Sequence, residues 1–239
     1  MGVSPAPLAV HLCVPHALPP DPVPEDVWRR LVSEGHRYDL DTREPLWEPA
    51  QERPSRAYVV SEGLVRLYHP NRQGKAITVV AVGRGGLLGY HPQLSGSPYA
   101  TGAEAMTLSR LLGLRGEELD RWFQEGDELG EDFREWLRRD LDLHMRNTYT
   151  RLQLDNTSAE EKVARMLLAL HEQNLLTSIT RRQIAELTNL SAETVVRVLS
   201  KLRREETLEK TEFTLLSENE RHNLCDLLTP FEPLSLPYS

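Results

Sequence analysis

Residues 177–204 read TSITRRQIAELTNLSAETVVRVLSKLRR, and local signals in this stretch predict two short helices joined by a tight turn. Thr180 and Gln183 have the spacing of a capping box, so a helix is predicted to begin there. This helix is predicted to end near Asn189, because asparagine tolerates the left-handed backbone of such a turn. Ser191 can cap a second helix, with Glu193 in the first turn, where a carboxylate complements the helix dipole.

Two short helices, a three-residue turn and a small residue at the crossing, here Ala185, meet the requirements of a helix-turn-helix. The second helix has apolar residues at i, i+3, i+4 and i+7, which predict one buried stripe: Val195, Val198, Leu199 and Leu202. Its opposite face presents Ala192, Glu193, Val196, Arg197, Ser200, Lys201 and Arg204. Such a face suits the DNA major groove, because Arg can bind guanine, Glu can accept from cytosine, and terminal cations can reach phosphates.

Charge is distributed unevenly along the chain. The net charge is −8, whereas nucleic-acid binders are more often basic. Residues 180–204 nevertheless carry six cationic side chains against two anionic ones, a local charge of +4. A solvated charged face is the alternative interpretation of this cluster, and the charge alone does not decide between the two.

Upstream of this motif, short apolar runs alternate with turn residues. Strands are predicted at residues 58–60, 64–68, 76–82 and 108–114, with turns at residues 61–63 and 71–74 and several glycines between 83 and 89. This pattern is typical of an antiparallel sandwich or barrel. Before it, residues 1–25 form a proline-rich tail, and residues 26–34 are predicted as a short helix with Val27, Trp28 and Leu31 inward.

Residues 127–155 contain no proline and only Gly130 as a glycine, which predicts one long helix. A mostly apolar stripe follows it: Leu137, Leu141, Met145, Thr148 and Leu152. The stripe can pack along its own domain or pair with the same helix of a second chain. Ser158 and Glu161 form a further capping box, so a new domain is predicted to begin near residue 156, with Val163, Met166, Leu167 and Leu170 facing inward.

Residues 179–185 and 190–199 resemble the helix-turn-helix of the CRP/FNR (catabolite activator) superfamily, and the resemblance extends over roughly residues 55–216. It implies an α+β chain with an N-terminal double-stranded β-helix, the cyclic-nucleotide-binding-like β-roll, at residues 26–126. A dimerisation helix at residues 127–155 and a C-terminal winged helix-turn-helix at residues 156–239 are expected to follow. Residues 213–216 fall where the wing strand of the family lies.

The resemblance implies that Arg181, Glu193 and Arg197 contact bases or backbone. Combined with the caps and the exposed face, it predicts a DNA-binding set of Thr180, Arg181, Ser191, Ala192, Glu193, Thr194, Arg197, Ser200, Lys201 and Arg204. Two positions depart from the family pattern. Ala192 stands where an arginine is frequent, which predicts a changed base contact, and Asn189 stands where glycine is common.

Cyclic-nucleotide binders of this family carry a Gly-Glu pair and, further along, an Arg-Ser pair for the ribose and cyclic phosphate. Here Gly89 is followed by Tyr90, and the later pair falls at Tyr99-Ala100, so the arginine that would oppose a phosphate is missing. We therefore predict that cAMP does not bind. If the β-roll takes another effector, Gly89, Tyr90, Tyr99, Ala100 and Thr101 are the residues expected to line its pocket.

No catalytic, metal or cofactor site is predicted. Cys13 and Cys225 lie near opposite ends of the chain, so neither a zinc ribbon nor the multi-cysteine cluster of iron–sulfur family members is expected. His91 has no second His or Cys at a suitable spacing for haem or metal. The cysteine usage suits a reducing cytoplasm, and no apolar run reaches the length of a membrane span.

The sequence thus predicts a cytoplasmic, homodimeric transcription regulator that binds an inverted-repeat operator independently of cAMP. Its expected partners are double-stranded DNA, a second copy of the chain and RNA polymerase, with no membrane. Two alternatives stay open. One is a regulator gated by a non-nucleotide ligand in the β-roll, and the other is an interaction protein that has kept the fold and lost DNA binding, as the acidic charge and Ala192 would allow.

Overall fold

The computed structural model describes residues 23–50, 56–154, 157–209 and 215–229, without the side chains of residues 93–94 and 146–154. The strands in these ranges are β1 (His36–Leu40), β2 (Pro45–Trp47), β3 (Arg56–Glu62), β4 (Val65–Pro70), β5 (Ala76–Val82), β6 (Leu87–Leu88), β7 (Gly102–Ala105) and β8 (Ser109–Arg115). The helices are α1 (Glu25–Glu34), α2 (Tyr90–Ser95), α3 (Gly116–Gln124), α4 (Glu128–Leu154), α5 (Ala159–Glu172), α6 (Arg181–Thr188), α7 (Ala192–Arg204) and α8 (Glu218–Asp226). A 3-10 turn spans Leu176–Ser178.

The strands form two antiparallel four-stranded sheets, ordered β1-β8-β3-β6 and β2-β7-β4-β5. Their facing sides share one apolar core, which includes Val60 and Leu111 from the first sheet and Val65, Val80 and Ala103 from the second. The apolar runs and glycine turns predict an antiparallel sandwich or barrel, which these two sheets confirm, and the arrangement is the β-roll that the family resemblance implies.

Helices cover the outer face of the first sheet. Successive residues of a strand point to opposite faces, so Val60 lies between the sheets while Val59 packs under the helices. Val27, Trp28 and Leu31 of α1 are buried there, as predicted. The first half of α4 joins the same core through Phe133, Trp136 and Leu137. The long helix is therefore anchored to the β-roll along its first half.

The sheets contain four short strands that the sequence does not predict, and the ends of some predicted strands differ from those observed. β1, β2, β6 and β7 were missed because they are short and are defined by pairing with distant strands rather than by their own apolar pattern. Strand β3 continues through Glu62, which narrows the predicted turn at 61–63 to Gly63 at φ 87°. A Cβ at Gly63 would lie 2.4 Å from the Leu108 carbonyl oxygen, so glycine is required. The last strand begins at Ser109, one residue later than predicted, and Leu108 before it is 70% exposed.

Helices α5 to α8 pack around a separate core. Val163, Met166, Leu167 and Leu170 are buried in it, which confirms the predicted inner face of α5. Three β-roll residues, Leu64, Ala81 and Met106, belong to this core as well. The β-roll and the C-terminal helices therefore pack directly on each other.

Several predicted features lie wholly or partly outside the described residues. These are the proline-rich segment up to residue 22, Cys13, and residues 213 and 214 of the expected wing strand. Leu215 and Leu216, the rest of that segment, are not in a strand.

Candidate nucleic-acid interface

Helix α6 begins with the capping box that the sequence predicts. The backbone amide of Thr180 donates to Oε1 of Gln183 at 2.8 Å, and the amide of Gln183 donates to Oγ1 of Thr180 at 3.3 Å. Two of the amides that lack a partner at a helix start are thereby satisfied. Ile184, Ala185 and Leu187 are buried, so the inner side of α6 faces the C-terminal core.

The turn between α6 and α7 depends on Asn189, which has φ 58° and ψ 24°. The amide of Leu190 donates to the carbonyl of Ala185 at 2.9 Å and closes the end of α6. Ser191 then caps α7, because its Oγ accepts from the amide of Thr194 at 3.0 Å. The predicted left-handed turn and the predicted cap are both confirmed.

Helix α7 has the two faces that its sequence predicts. The buried stripe consists of Val195, Val198, Leu199 and Leu202. On the opposite side, side chains from the predicted DNA-binding set are exposed: Ser191, Ala192, Glu193, Arg197, Ser200 and Arg204. Thr194 and Lys201 are half-buried, while Thr180 and Arg181, at the start of α6, are exposed. The structure therefore places the predicted set on the exposed side of α7 and at the beginning of α6.

A cation at the start of α6 acts on a cation at the end of α7. Burial, followed by the positive charge of Arg181, lowers the pKa of the Arg203 guanidinium. Grouping like charges is unfavourable in a free protein and becomes favourable against an anionic partner. Arg181 and Arg203 are thus two of the six cations in residues 180–204 that a DNA phosphate would bring into a more favourable environment.

Lys201 has an acidic partner that the sequence reasoning missed. Its Nζ lies 3.2 Å from Oε1 of Glu160, in the first turn of α5. The pKa of Glu160 is lowered by a hydrogen bond from its own backbone amide, by the hydrogen bond from Lys201 and by the charges of Lys201 and Arg197. The capping box at Ser158 signalled the helix start and gave no sign of this pairing across helices.

The end of α6 and the turn that follows it are joined to the β-roll by hydrogen bonds. Oδ1 of Asn189 accepts from the amide of Thr78 at 2.9 Å, and its Nδ2 donates to the carbonyl of Thr78 at 3.0 Å. Oγ1 of Thr78 donates to the carbonyl of Glu186 at 2.7 Å. Thr78 lies in β5, the edge strand of its sheet, so the turn of the helix-turn-helix satisfies part of an open sheet edge.

Charged groups strengthen the same contact. Glu186 lies 2.5 Å from Nη1 of Arg43 and 3.7 Å from Nη1 of the buried Arg66, and both arginines also bind Glu104 at 3.1 Å. The hydrogen bond to Glu186 is the largest influence that raises the pKa of Arg43. Nε2 of Gln183 donates to the carbonyl of Met106. Gln183, Glu186 and Asn189 therefore form a polar edge of α6 that is fitted to the β-roll.

Aromatic rings occupy the interior next to the predicted effector loop. The ring of Tyr99 stacks on Trp47 with centroids 4.1 Å apart and planes at 6°, and burial raises the pKa of its phenol. Nε1 of Trp47 donates to the carbonyl of Thr101 at 2.8 Å. A Cβ at Gly89, which has φ 73°, would lie 3.3 Å from the Tyr99 hydroxyl. Ala100, between Tyr99 and Thr101, is exposed.

Tyr90, the residue after this glycine, faces the long helix. It is buried, and both burial and a hydrogen bond with Asp140 of α4 raise the pKa of its phenol. Oδ1 of Asp140 also accepts from the amide of Leu87 at 3.4 Å. The predicted pocket residues are therefore near one another, and their aromatic side chains contribute to packing within the β-roll and against α4.

The predicted dimerisation stripe is divided by the fold. Leu137 is 5% exposed and packs in its own chain's core, so its side chain is not available to a second copy. Leu141 and Met145 are 41% and 49% exposed. The side chains of Thr148 and Leu152 lie outside the described part of the structure. Among the described side chains of the stripe, Leu137 is thus buried in the core, and Leu141 and Met145 lie on the surface of α4.

A β-roll, a long helix and a helix-turn-helix with an exposed polar face together define a DNA-binding transcription regulator. None of the helices in the described ranges is long and apolar enough to cross a membrane. Residues 40–125 match the family model of the cyclic nucleotide-binding domain, and residues 161–220 match that of the Crp-like helix-turn-helix domain. The chain belongs to the CRP/FNR family of transcription regulators.

Solved structures share this architecture. FixK2 from Bradyrhizobium japonicum is 20% identical, with a TM-score of 0.69 over 83% of this chain and 99% of its own, which shows a common fold. TTHB099, a CRP-family transcriptional regulator from Thermus thermophilus, is 25% identical, with a TM-score of 0.63 over 80% of this chain and 95% of its own. TTHA1359, a CRP/FNR-family regulator from the same organism, is 25% identical with a TM-score of 0.61, over 80% and 97%. No curated protein matches the sequence significantly.

Proposed function

We propose that the protein acts as a homodimer that binds an inverted-repeat operator through α7 and does so without cAMP. The observation that carries this proposal is the exposed face of α7, where Glu193, Arg197 and Arg204 stand opposite a fully buried stripe. A two-fold dimer presents two such helices roughly 34 Å apart, one turn of DNA, so the half-sites are expected at that spacing.

Each exposed side chain of α7 is assigned a role by its position. Arg197, in the middle of the helix, can bind guanine O6 and N7, and Glu193, in the first turn, can accept from a cytosine amino group. Lys201 and Arg204, in the last turn, are placed to bind phosphates. RNA polymerase is the expected protein partner of such a regulator, and the cytoplasm is its expected location.

The surface of α4 supports the homodimer. Leu141 and Met145 are four residues apart, so they lie on the same side of the helix, and both are exposed although they are large and apolar. Pairing of two such helices would remove these side chains from water, which is the main driving force of association. Leu137, already buried, would support the seam from within its own domain.

Independence from cAMP is supported by the interior of the β-roll. A cyclic phosphate needs a nearby cation or donor group, and the sequence places Tyr99-Ala100 where the family's nucleotide binders carry Arg-Ser. The Tyr99 ring is stacked on Trp47 beside Gly89. This aromatic pair offers no cation to oppose a cyclic phosphate.

A regulator gated by a non-nucleotide effector is a second candidate. The observation in its favour is the direct link between the β-roll and α6 through Thr78, Asn189 and Glu186. Any ligand that moved β5 would also move the turn of the helix-turn-helix. Such a ligand must bind one arrangement better than the other in order to shift it.

Selection from random-sequence DNA, followed by mobility-shift binding, tests the proposal. We expect the full-length protein to enrich an inverted repeat without any added small molecule. Enrichment only in the presence of a cell extract of small metabolites would favour the effector-gated candidate. Failure to enrich any sequence under either condition would favour an interaction protein and contradict DNA binding.

A further inference from the structure

Glu160 is an acidic residue in direct contact with Lys201, one of the proposed DNA-binding cations of α7. It is the second residue of α5, whose cap is Ser158, and free backbone amides and the helix dipole both stabilise a carboxylate at that position. A hydrogen bond from its own amide is the first of the influences that lower the pKa of this carboxyl. The position at the start of α5 therefore favours the charged form of Glu160.

This carboxylate forms an ion pair with one cation of α7 and is influenced by the charge of a second. Lys201 Nζ lies 3.2 Å from its Oε1, and the charge of Arg197 also acts on it. The Glu160 and Lys201 side chains are 32% and 41% exposed, so the pair remains within reach of a partner in solution. Under the proposed function, these two cations are the ones assigned to a phosphate and to a base.

We propose that Glu160 competes with the DNA phosphate for Lys201 and thereby lowers the affinity of the protein for DNA of every sequence. This inference rests on the proposed function of α7. In the free protein, Lys201 already has a counter-charge. When Lys201 transfers to a phosphate, Glu160 stays beside the DNA as a like charge or takes up a cation from solution.

The salt dependence of binding should carry the signature of this competition. Each phosphate that a protein neutralises releases condensed cations, so the logarithm of affinity falls steeply with the logarithm of salt concentration. A cation taken up by Glu160 offsets part of that release. The wild-type protein is therefore expected to show a shallower salt dependence than its number of phosphate contacts would give.

Glu160→Gln tests the proposal, because the amide can still accept at the helix start and no longer carries charge. We expect binding to tighten about two- to fivefold per half-site at low salt, on the scale of exposed ion pairs. The logarithmic salt slope is expected to steepen by up to about one per protomer, because the variant takes up no cation at residue 160 when Lys201 transfers to a phosphate. Both changes should appear on the selected operator and on scrambled DNA alike.

Two further variants separate pairing from net charge. Glu172→Gln removes the same charge at the opposite end of α5, and we expect affinity and salt slope to stay at wild-type values. Adding Glu160→Gln to Lys201→Met should produce a smaller gain than Glu160→Gln in the wild type, because the paired cation is gone and only the repulsion of DNA by Glu160 and its attraction for Arg197 remain. Thermal melting of each variant confirms that the chains compared are folded.

The outcomes separate this inference from the proposed function. If Glu160→Gln matches the wild type in affinity and slope while Lys201→Met weakens binding, Glu160 does not compete with DNA and α7 still binds it. A gain of equal size in the Lys201→Met background would likewise overturn the competition. If the wild-type protein selects no DNA at all, the proposed function itself fails.

Discussion

The side-chain amide of Asn189 binds both backbone hydrogen-bonding groups of Thr78, although 111 residues separate the two in the chain. Asn189 is also the left-handed residue that turns α6 into α7. One side chain therefore shapes the helix-turn-helix and fixes it to the edge of the β-roll.

Asn189→Gly separates these two roles, because glycine adopts the left-handed turn at no steric cost and has no side-chain amide. We expect the amide of Thr78 to exchange with solvent about fivefold faster, since a hydrogen bond contributes about 1 kcal/mol net. Native-state hydrogen exchange measures this. Asn174→Gly, at another left-handed asparagine with φ 56°, is the matched control and should leave Thr78 unchanged. Equal exchange at Thr78 in wild type and Asn189→Gly would contradict the coupling.

Arg66→Met removes the buried cation between Glu104 and Glu186. The two carboxylates then depend on more exposed cations such as Arg43, so we expect a loss of about 2–4 kcal/mol in the free energy of unfolding. Arg110→Met is the control, because Arg110 pairs with surface carboxylates at 65% exposure, and such pairs contribute about 0–1 kcal/mol. Denaturant unfolding compares the two. A loss from Arg66→Met as small as that from Arg110→Met would show that this buried cation adds little to stability.

Replacing Leu141 and Met145 together by Asp should convert a dimer into a monomer. A seam between two α4 helices would have to bury these charges without partners, which is strongly unfavourable. Sedimentation equilibrium at micromolar concentration measures the change in mass. Leu108→Asp introduces charge at another exposed apolar site, 70% exposed, and should leave the mass unaltered. A monomeric wild-type protein under these conditions would disprove the proposed dimer.

Arg197→Ala is expected to weaken operator binding by about 1–3 kcal/mol per half-site and to relax specificity at one base position. Lys201→Ala and Arg204→Ala should instead weaken all sequences equally and flatten the logarithmic salt slope by about one unit per lost contact. Glu193→Ala should keep or raise affinity for scrambled DNA while lowering discrimination, because a carboxylate in the first turn repels phosphates.

The measurement for this series is binding to the selected operator and to scrambled DNA across a range of salt concentrations. Arg197→Ala and Lys201→Ala serve as controls for each other, since both remove one cation from the same helix. A uniform loss from both, with no altered base preference, would refute the division between base reading and phosphate anchoring.

Calorimetric titration with cAMP should give no binding heat at micromolar protein concentration, because the Tyr99 ring is stacked on Trp47 beside Gly89. Intrinsic fluorescence offers a second readout, since a nucleotide that separated the pair would change the emission of Trp47. Micromolar affinity for cAMP would contradict the prediction and would place a phosphate site elsewhere in the β-roll.

Local chemistry made the helix-turn-helix predictable. The Thr180–Gln183 capping box, the left-handed Asn189 and the Ser191 cap each act within a few residues, so the sequence contains both partners of every interaction. The exposed face of α7 follows from the same periodicity. The short strands β2 and β7 could not be found in this way, because a strand of three or four residues is stabilised by neighbours that come from distant parts of the chain.

The sequence by itself determined which residues of α6 and α7 face the core and which face outward, because helical periodicity and capping are local properties. Tertiary structure alone decided what the outward residues meet. Glu186 meets Arg43 and Arg66, and Lys201 meets Glu160, through contacts between elements far apart in sequence. The stripe on α4 likewise shows that helical periodicity does not predict which residues of one face are buried. Periodicity placed Leu137 and Leu141 on one side of the helix, and only packing against Phe133, Trp136 and the β-roll determined that Leu137 is buried and Leu141 is not.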